Sequence, residues 1–149
     1  MGTSNGVNRE LILDRLARVR ENIKHLKKLG KLPLKEFVSD FKATRSAERL
    51  LQTSIEACLD IGNHIISRCG LERPREYKDV FIILGREGII PYAFAEKLIP
   101  MVKFRNRLVH LYWKVNEEEV YEIIQKSLKD IEEFVQHIAN FLEKEQGKP

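Results

Sequence analysis

The sequence predicts an all-α fold, an up-and-down antiparallel four-helix bundle with one additional short helix. Three observations predict it. Apolar residues recur at spacings of three and four along four long segments, β-branched residues sit inside those helical patterns rather than in alternating runs, and glycine and proline fall between the segments.

Asn8 suits the cap of a first helix whose Ile12, Leu16, Val19, Ile23 and Leu26 form one stripe, with Gly30 as its stop. After a turn at Leu32-Pro33, and with Leu34 to Ser39 as a separate turn, a long second helix places Ala47, Leu51, Ser54, Cys58, Ile61 and Ile65 on one face and ends at Gly70. Pro74, Gly85 and Gly88 mark Glu72 to Gly88 as a connector carrying a short helix around Tyr77 to Leu84, with Gly85-Arg-Glu-Gly88 as a turn. Pro91 opens a third long helix running through Phe94, Leu98, Met101 and Phe104 to Arg105, kinked by Pro100. Asn116 and Glu119 resemble a capping pair, and Val120, Ile124, Leu128, Ile131, Val135, Ile138 and Leu142 form the stripe of one last helix.

With 149 residues, 43% hydrophobic and 32% charged, the chain has the size and composition of a single domain, residues 1–149 with a core over about 8–142. No apolar run approaches the length needed to span a bilayer, and Met1 to Asn8 has no apolar signal core, so no membrane association is expected. Cys58 and Cys69 form no CxxC pair and read as core residues of a cytoplasmic protein. The net charge of +4 permits a nucleic-acid partner without requiring one. Lys24, Lys27, Lys28 and Lys31 read as a solvated helix face.

The sequence lacks a phosphate-binding loop, a dinucleotide glycine fingerprint and a His-Glu-x-x-His zinc motif. Glu117, Glu118 and Glu119 fall in a first helical turn, where they complement the helix dipole, and no metal site or cofactor is expected. His25, His64 and His137 read as structural or solvated. His110 differs in its company, because Lys103, Arg105, Asn106, Arg107, Tyr112 and Trp113 concentrate polar, cationic and aromatic groups at one helix end. Five steps along a helix rotate by about 140°, so Arg105 and His110 share a face only if the helix unwinds near Val109, and unwinding is expected there. Arg105 and Tyr112 would nearly align on a continuous helix, which leaves the local backbone open.

The run Arg105-Asn-Arg-Leu-Val-His110-Leu-Tyr112 resembles the R-x-x-x-x-H-x-Y motif of the HepT family within the HEPN superfamily. The resemblance continues through Ala47-Glu-Arg-Leu-Leu-Gln52, Ile55-Glu-Ala57, Asp60-Ile61, His64-Ile-Ile66, Gly88-Ile-Ile90, Phe104-Arg-Asn106 and Val120-Tyr-Glu-Ile-Ile124, in matching order. It implies a helical bundle that forms a homodimer, uniting two Arg/His motifs in one cleft that cleaves RNA without a metal. It also implies an MntA-type nucleotidyltransferase antitoxin as partner, which silences such a toxin by adding AMP to the motif tyrosine, here Tyr112.

The residue types suit that reaction. RNA cleavage needs a base for the 2′-hydroxyl proton, an acid for the leaving 5′-oxygen and a cation for the developing phosphorane charge. Histidine exchanges a proton near neutral pH and arginine clamps phosphate oxygens. His110 and Arg105 are accordingly the expected catalytic pair, with Asn106 orienting the substrate or Arg105. Tyr112 and Trp113 have an alternative use as stacking surfaces for unpaired bases. The competing function is a non-catalytic HEPN subunit that binds nucleotide or substrate for a nucleotidyltransferase. An intact His110 favours the nuclease.

Overall fold

The computed structural model describes residues 6–110 and 115–146. Among these the secondary structure is entirely helical: α1 (Arg9–Leu29), α2 (Leu34–Ser39), α3 (Phe41–Arg68), α4 (Tyr77–Arg86), α5 (Tyr92–Lys97), α6 (Ile99–Val109), α7 (Glu117–Lys126) and α8 (Leu128–Gln146). The four long layers expected from periodicity are α1, α3, α5 with α6, and α7 with α8, and the extra short helix is α4.

Local chemistry sets the ends of the elements. The side chain of Asn8 accepts from the Leu11 amide at 3.0 Å and caps α1, and Asp40 caps α3 in the same way through Ala43 at 3.1 Å. Both α3 and α4 stop at a glycine in the left-handed region, Gly70 (φ 67°) and Gly88 (φ 73°). In each case the residue after the glycine donates back five residues, Leu71 to the Ile66 carbonyl at 2.9 Å and Ile89 to the Leu84 carbonyl at 3.0 Å. That pattern satisfies carbonyls the helix end would otherwise leave open.

Two long segments are divided more sharply than periodicity suggests. The third does not kink at Pro100 but breaks at Leu98, so that Pro100 occupies the first turn of α6, where its missing amide costs nothing. The last segment breaks at Ser127, whose amide still bonds the Ile123 carbonyl at 2.8 Å while Asp130 turns back to Ser127. The stripe Ile124, Leu128, Ile131 runs across this break uninterrupted, which is why it reads as one helix. Gly85 and Arg86, expected in a turn, instead complete the last turn of α4.

Antiparallel packing is recorded by cross-helix bonds. Asn22 of α1 donates to Thr53 and Ser54 of α3, while the Asn8 amide, at the start of α1, reaches His64 near the far end of α3. Lys27 pairs with Glu132, and Arg9 bonds the Leu142 carbonyl, so α8 also runs against α1. The predicted stripes all point into one continuous core, joined there by Phe37, Phe81 and Phe134. Cys58 and Cys69 are buried in it, and burial pushes the Cys58 thiol up to about 12, with the charge of Asp60 adding to the effect. At Gly62 the helices α3 and α4 approach so closely that a Cβ would collide with Val80. This contact brings the start of α4, which begins at Tyr77, against α3. No helix among the described residues is long and apolar enough to cross a membrane.

Candidate active site

The helix carrying the Arg/His motif ends where the residue spacing requires it to end. Val109 is the last residue of α6, and His110 has extended backbone (φ −91°, ψ 118°). Leaving the helical path removes the angular mismatch between Arg105 and His110, and both line one open cleft of about 610 Å³ with Asn106. The opposite wall comes from Pro74, Arg75, Glu76 and Tyr77 at the start of α4, and from Asn63 of α3.

Arg105 is largely buried, its side chain only 16% exposed, and its orientation is fixed. Its Nε and Nη2 donate to Glu56 Oε2 at 3.0 and 2.8 Å, and its Nη1 donates to Asn106 Oδ1 at 3.2 Å. The guanidinium also lies over the Tyr77 ring, 4.8 Å from its centroid, a cation–π contact. Burial raises the pKa of the Glu56 carboxyl, but hydrogen bonds from Arg105 and Gln52 and the charges of Arg105 and Arg49 outweigh that. The net effect holds it below the usual carboxylate range. Glu56 is therefore ionised at neutral pH and keeps its pairing with the arginine.

His110 stands exposed at the mouth of the cleft. Tyr112 and Trp113 lie outside the described residues. Arg107, two positions from Arg105, points to the other side of α6, as a rotation of about 200° requires. There it pairs with Glu119 of α7 at 2.6 Å beside an apolar groove formed by Leu51, Ile55, Met101 and Phe104. The Asn116 side chain caps α7 by accepting from the Glu119 amide at 2.7 Å, so the capping pair expected from sequence is also what presents Glu119 to Arg107. Two other histidines serve the scaffold. His64 Nε2 accepts the Asn8 amide at 2.8 Å, and His137 pairs with Glu133 and packs on Phe94. Among the described residues, no three His, Cys, Asp or Glu side chains are grouped to hold a metal ion.

Sequence reasoning missed Glu56 and Tyr77, both of which touch the motif arginine. Glu56 lies on the polar side of α3 with Gln52, Asp60 and Asn63, so it reads as a solvated charge. Tyr77 carries no local mark either.

The fold and cleft define a class: an all-helical bundle presenting a fixed guanidinium and an imidazole to one open cleft. The family model described as ribonuclease HepT-like matches residues 19–138, and the chain belongs to that family of RNA-cutting nucleases. It is 31% identical over 132 residues to the tRNA nuclease HepT of Aphanizomenon flos-aquae (strain 2012/KM1/D3), covering 89% of this chain and 90% of that protein. It is likewise 31% identical over 129 residues to the mRNA nuclease HepT of Shewanella oneidensis, covering 85% and 94%. The structure is similar to that of the tri-AMPylated Shewanella oneidensis HEPN toxin in complex with MNT antitoxin. That match has a TM-score of 0.80 and 31% identity and covers 87% of this chain and 97% of that one.

Proposed function

We propose that this protein is the toxin of a toxin–antitoxin pair, a metal-independent cytoplasmic endoribonuclease that acts as a homodimer. The observation that carries the reading is the placement of Arg105, Asn106 and His110 on one open cleft, with the arginine held in a single orientation. Likeness to two RNA nucleases, and to a toxin bound by its antitoxin, supports the same activity and partner.

The chemistry balances with these residues alone. His110 of one subunit takes the proton of a ribose 2′-hydroxyl, and the 2′-oxygen attacks the adjacent phosphorus. Arg105 donates hydrogen bonds to the phosphoryl oxygens as their charge grows. His110 of the partner subunit protonates the leaving 5′-oxygen as the phosphorus–oxygen bond breaks, giving a 2′,3′-cyclic phosphate and a 5′-hydroxyl. Each chain supplies one such imidazole, which is why the reaction calls for two chains. Asn106 orients Arg105 through its Oδ1.

An MntA-type nucleotidyltransferase antitoxin silences this activity by adding AMP to Tyr112, two residues beyond His110. The added group brings negative charge and bulk next to the motif, where it competes with the RNA phosphate. The AMPylated state of the similar Shewanella toxin supports this reading. The test is incubation of purified protein with total cellular RNA in EDTA, wild type against His110→Ala, both verified as folded. Cleavage by the wild type alone is the expected result. A wild type that leaves RNA intact shifts the reading to a nucleotide- or substrate-binding subunit of a nucleotidyltransferase.

A further inference from the structure

A guanidinium that binds phosphate from a helix surface must give up rotamer freedom when it does so. Arg105 has given it up on folding. Of its five N–H groups, one on Nε and one on Nη2 go to Glu56 and one on Nη1 goes to Asn106. One N–H remains on each terminal nitrogen, at the end of the side chain farthest from the backbone. The Tyr77 ring supports the plane from α4.

Glu56 is itself aimed. Its Oε2 accepts from Arg105 twice and from Gln52 at 3.2 Å, one turn earlier on α3. It lies on the polar side of α3, with Gln52 and Asp60 four residues to either side. Asn63, seven residues further and hence on the same face of α3, lines the cleft itself. That face therefore serves the cleft along two turns.

We propose that Glu56 is a positioning residue for RNA cleavage. It anchors the Nε edge of Arg105 from the neighbouring helix, so that the remaining N–H groups meet a phosphate oxygen beside His110 already oriented. This rests on the nuclease reading above. Glu56 touches no substrate and acts only through Arg105.

The test compares wild type, Glu56→Ala and Glu56→Gln on one RNA in EDTA, with circular dichroism to verify folding. Glu56→Ala is expected to lower the rate at saturating RNA about tenfold to a hundredfold, the range found for supporting residues one contact removed from a site. KM should change by less than about threefold, since the lost interaction matters mainly in the transition state. Glu56→Gln should recover most of the rate, because its carbonyl oxygen accepts the same two N–H groups. The Arg105 Nε–H proton should be protected from exchange in wild type and Glu56→Gln and unprotected in Glu56→Ala, which ties the fall in rate at unchanged KM, and its rescue by glutamine, to the hydrogen bond itself. If Glu56→Ala fails to fold, Glu56→Asp replaces it, and its carboxylate, one methylene short of the guanidinium, should show the same fall in rate. A Glu56→Ala enzyme as fast as wild type, or a Glu56→Gln enzyme as slow as Glu56→Ala, overturns the proposal alone. A wild type that cleaves no RNA overturns the nuclease reading and this proposal with it.

Discussion

Replacing Gly62 by alanine tests how the cleft is built, because the close approach of α3 and α4 at this glycine sets the distance between Tyr77 and Arg105. The new Cβ would collide with Val80 Cγ1 and stand 3.3 Å from Leu84 Cδ1. Val80 and Leu84 are 1% and 0% exposed, and a β-branched valine on a helix has essentially one rotamer, so Val80 cannot yield by rotating. Forcing a methyl group into a filled core costs about 1–3 kcal/mol. Alanine in place of glycine inside a helix returns about 1 kcal/mol. Overpacking wins, leaving a net loss of about 1 kcal/mol, or a fall of about 3 °C in Tm for a chain of this size. Urea unfolding and a thermal melt measure it. Val80→Ala in the same background should cancel part of the loss, giving a coupling energy between two residues in contact. A Gly62→Ala variant more stable than wild type by the full propensity gain would mean that the α3–α4 contact has room for a methyl group.

Three further outcomes follow from the same geometry. Phe134, 1% exposed and edge-on to Phe81 with ring centroids 5.4 Å apart, should cost about 3–5 kcal/mol when replaced by alanine; a loss below about 1 kcal/mol in urea unfolding would contradict its place in the core. His64 is held below its ordinary value of 6.5 by burial and by the charge of Arg68. The folded state thus disfavours its charged form, and this contribution to stability is complete above that value and lost as pH falls below it through the lowered value of the folded state. Between pH 7.5 and 5.5 the wild type should therefore lose more Tm than His64→Gln, and equal losses would disprove the assignment. Arg105→Lys keeps the charge but cannot serve Glu56, Asn106 and a phosphate together; RNA cleavage should fall about a hundredfold, and near-wild-type activity would mean that charge alone suffices.

Periodicity located the long layers because their stripes are regular: Ile12 to Leu26 and Ala47 to Ile65 are buried as the spacing demands. It failed at Leu98 and Ser127 for a physical reason. A single broken turn preserves the angular phase of the apolar residues on either side, so Ile124 and Leu128 still face the same core. The unwinding after Val109 was legible because two polar groups meant for one cleft cannot lie five apart on a helix. The other half of the site comes from Glu56 and Tyr77, which are 49 and 28 positions from Arg105 in the chain. Their encounter is a product of packing, with α4 laid against α3 at Gly62, and no local pattern encodes it.

The central claim is that the Arg105/His110 cleft cuts RNA through the RNA's own 2′-hydroxyl. The most direct measurement pairs a cleavable RNA with a 2′-O-methyl copy of the same sequence, both in EDTA, and identifies the ends of the products. Cleavage of the RNA alone, with 2′,3′-cyclic phosphate and 5′-hydroxyl ends and no activity in His110→Ala, is the result predicted. Cleavage of the 2′-O-methyl strand, or products with 5′-phosphate ends formed only when a divalent metal is restored, would contradict it.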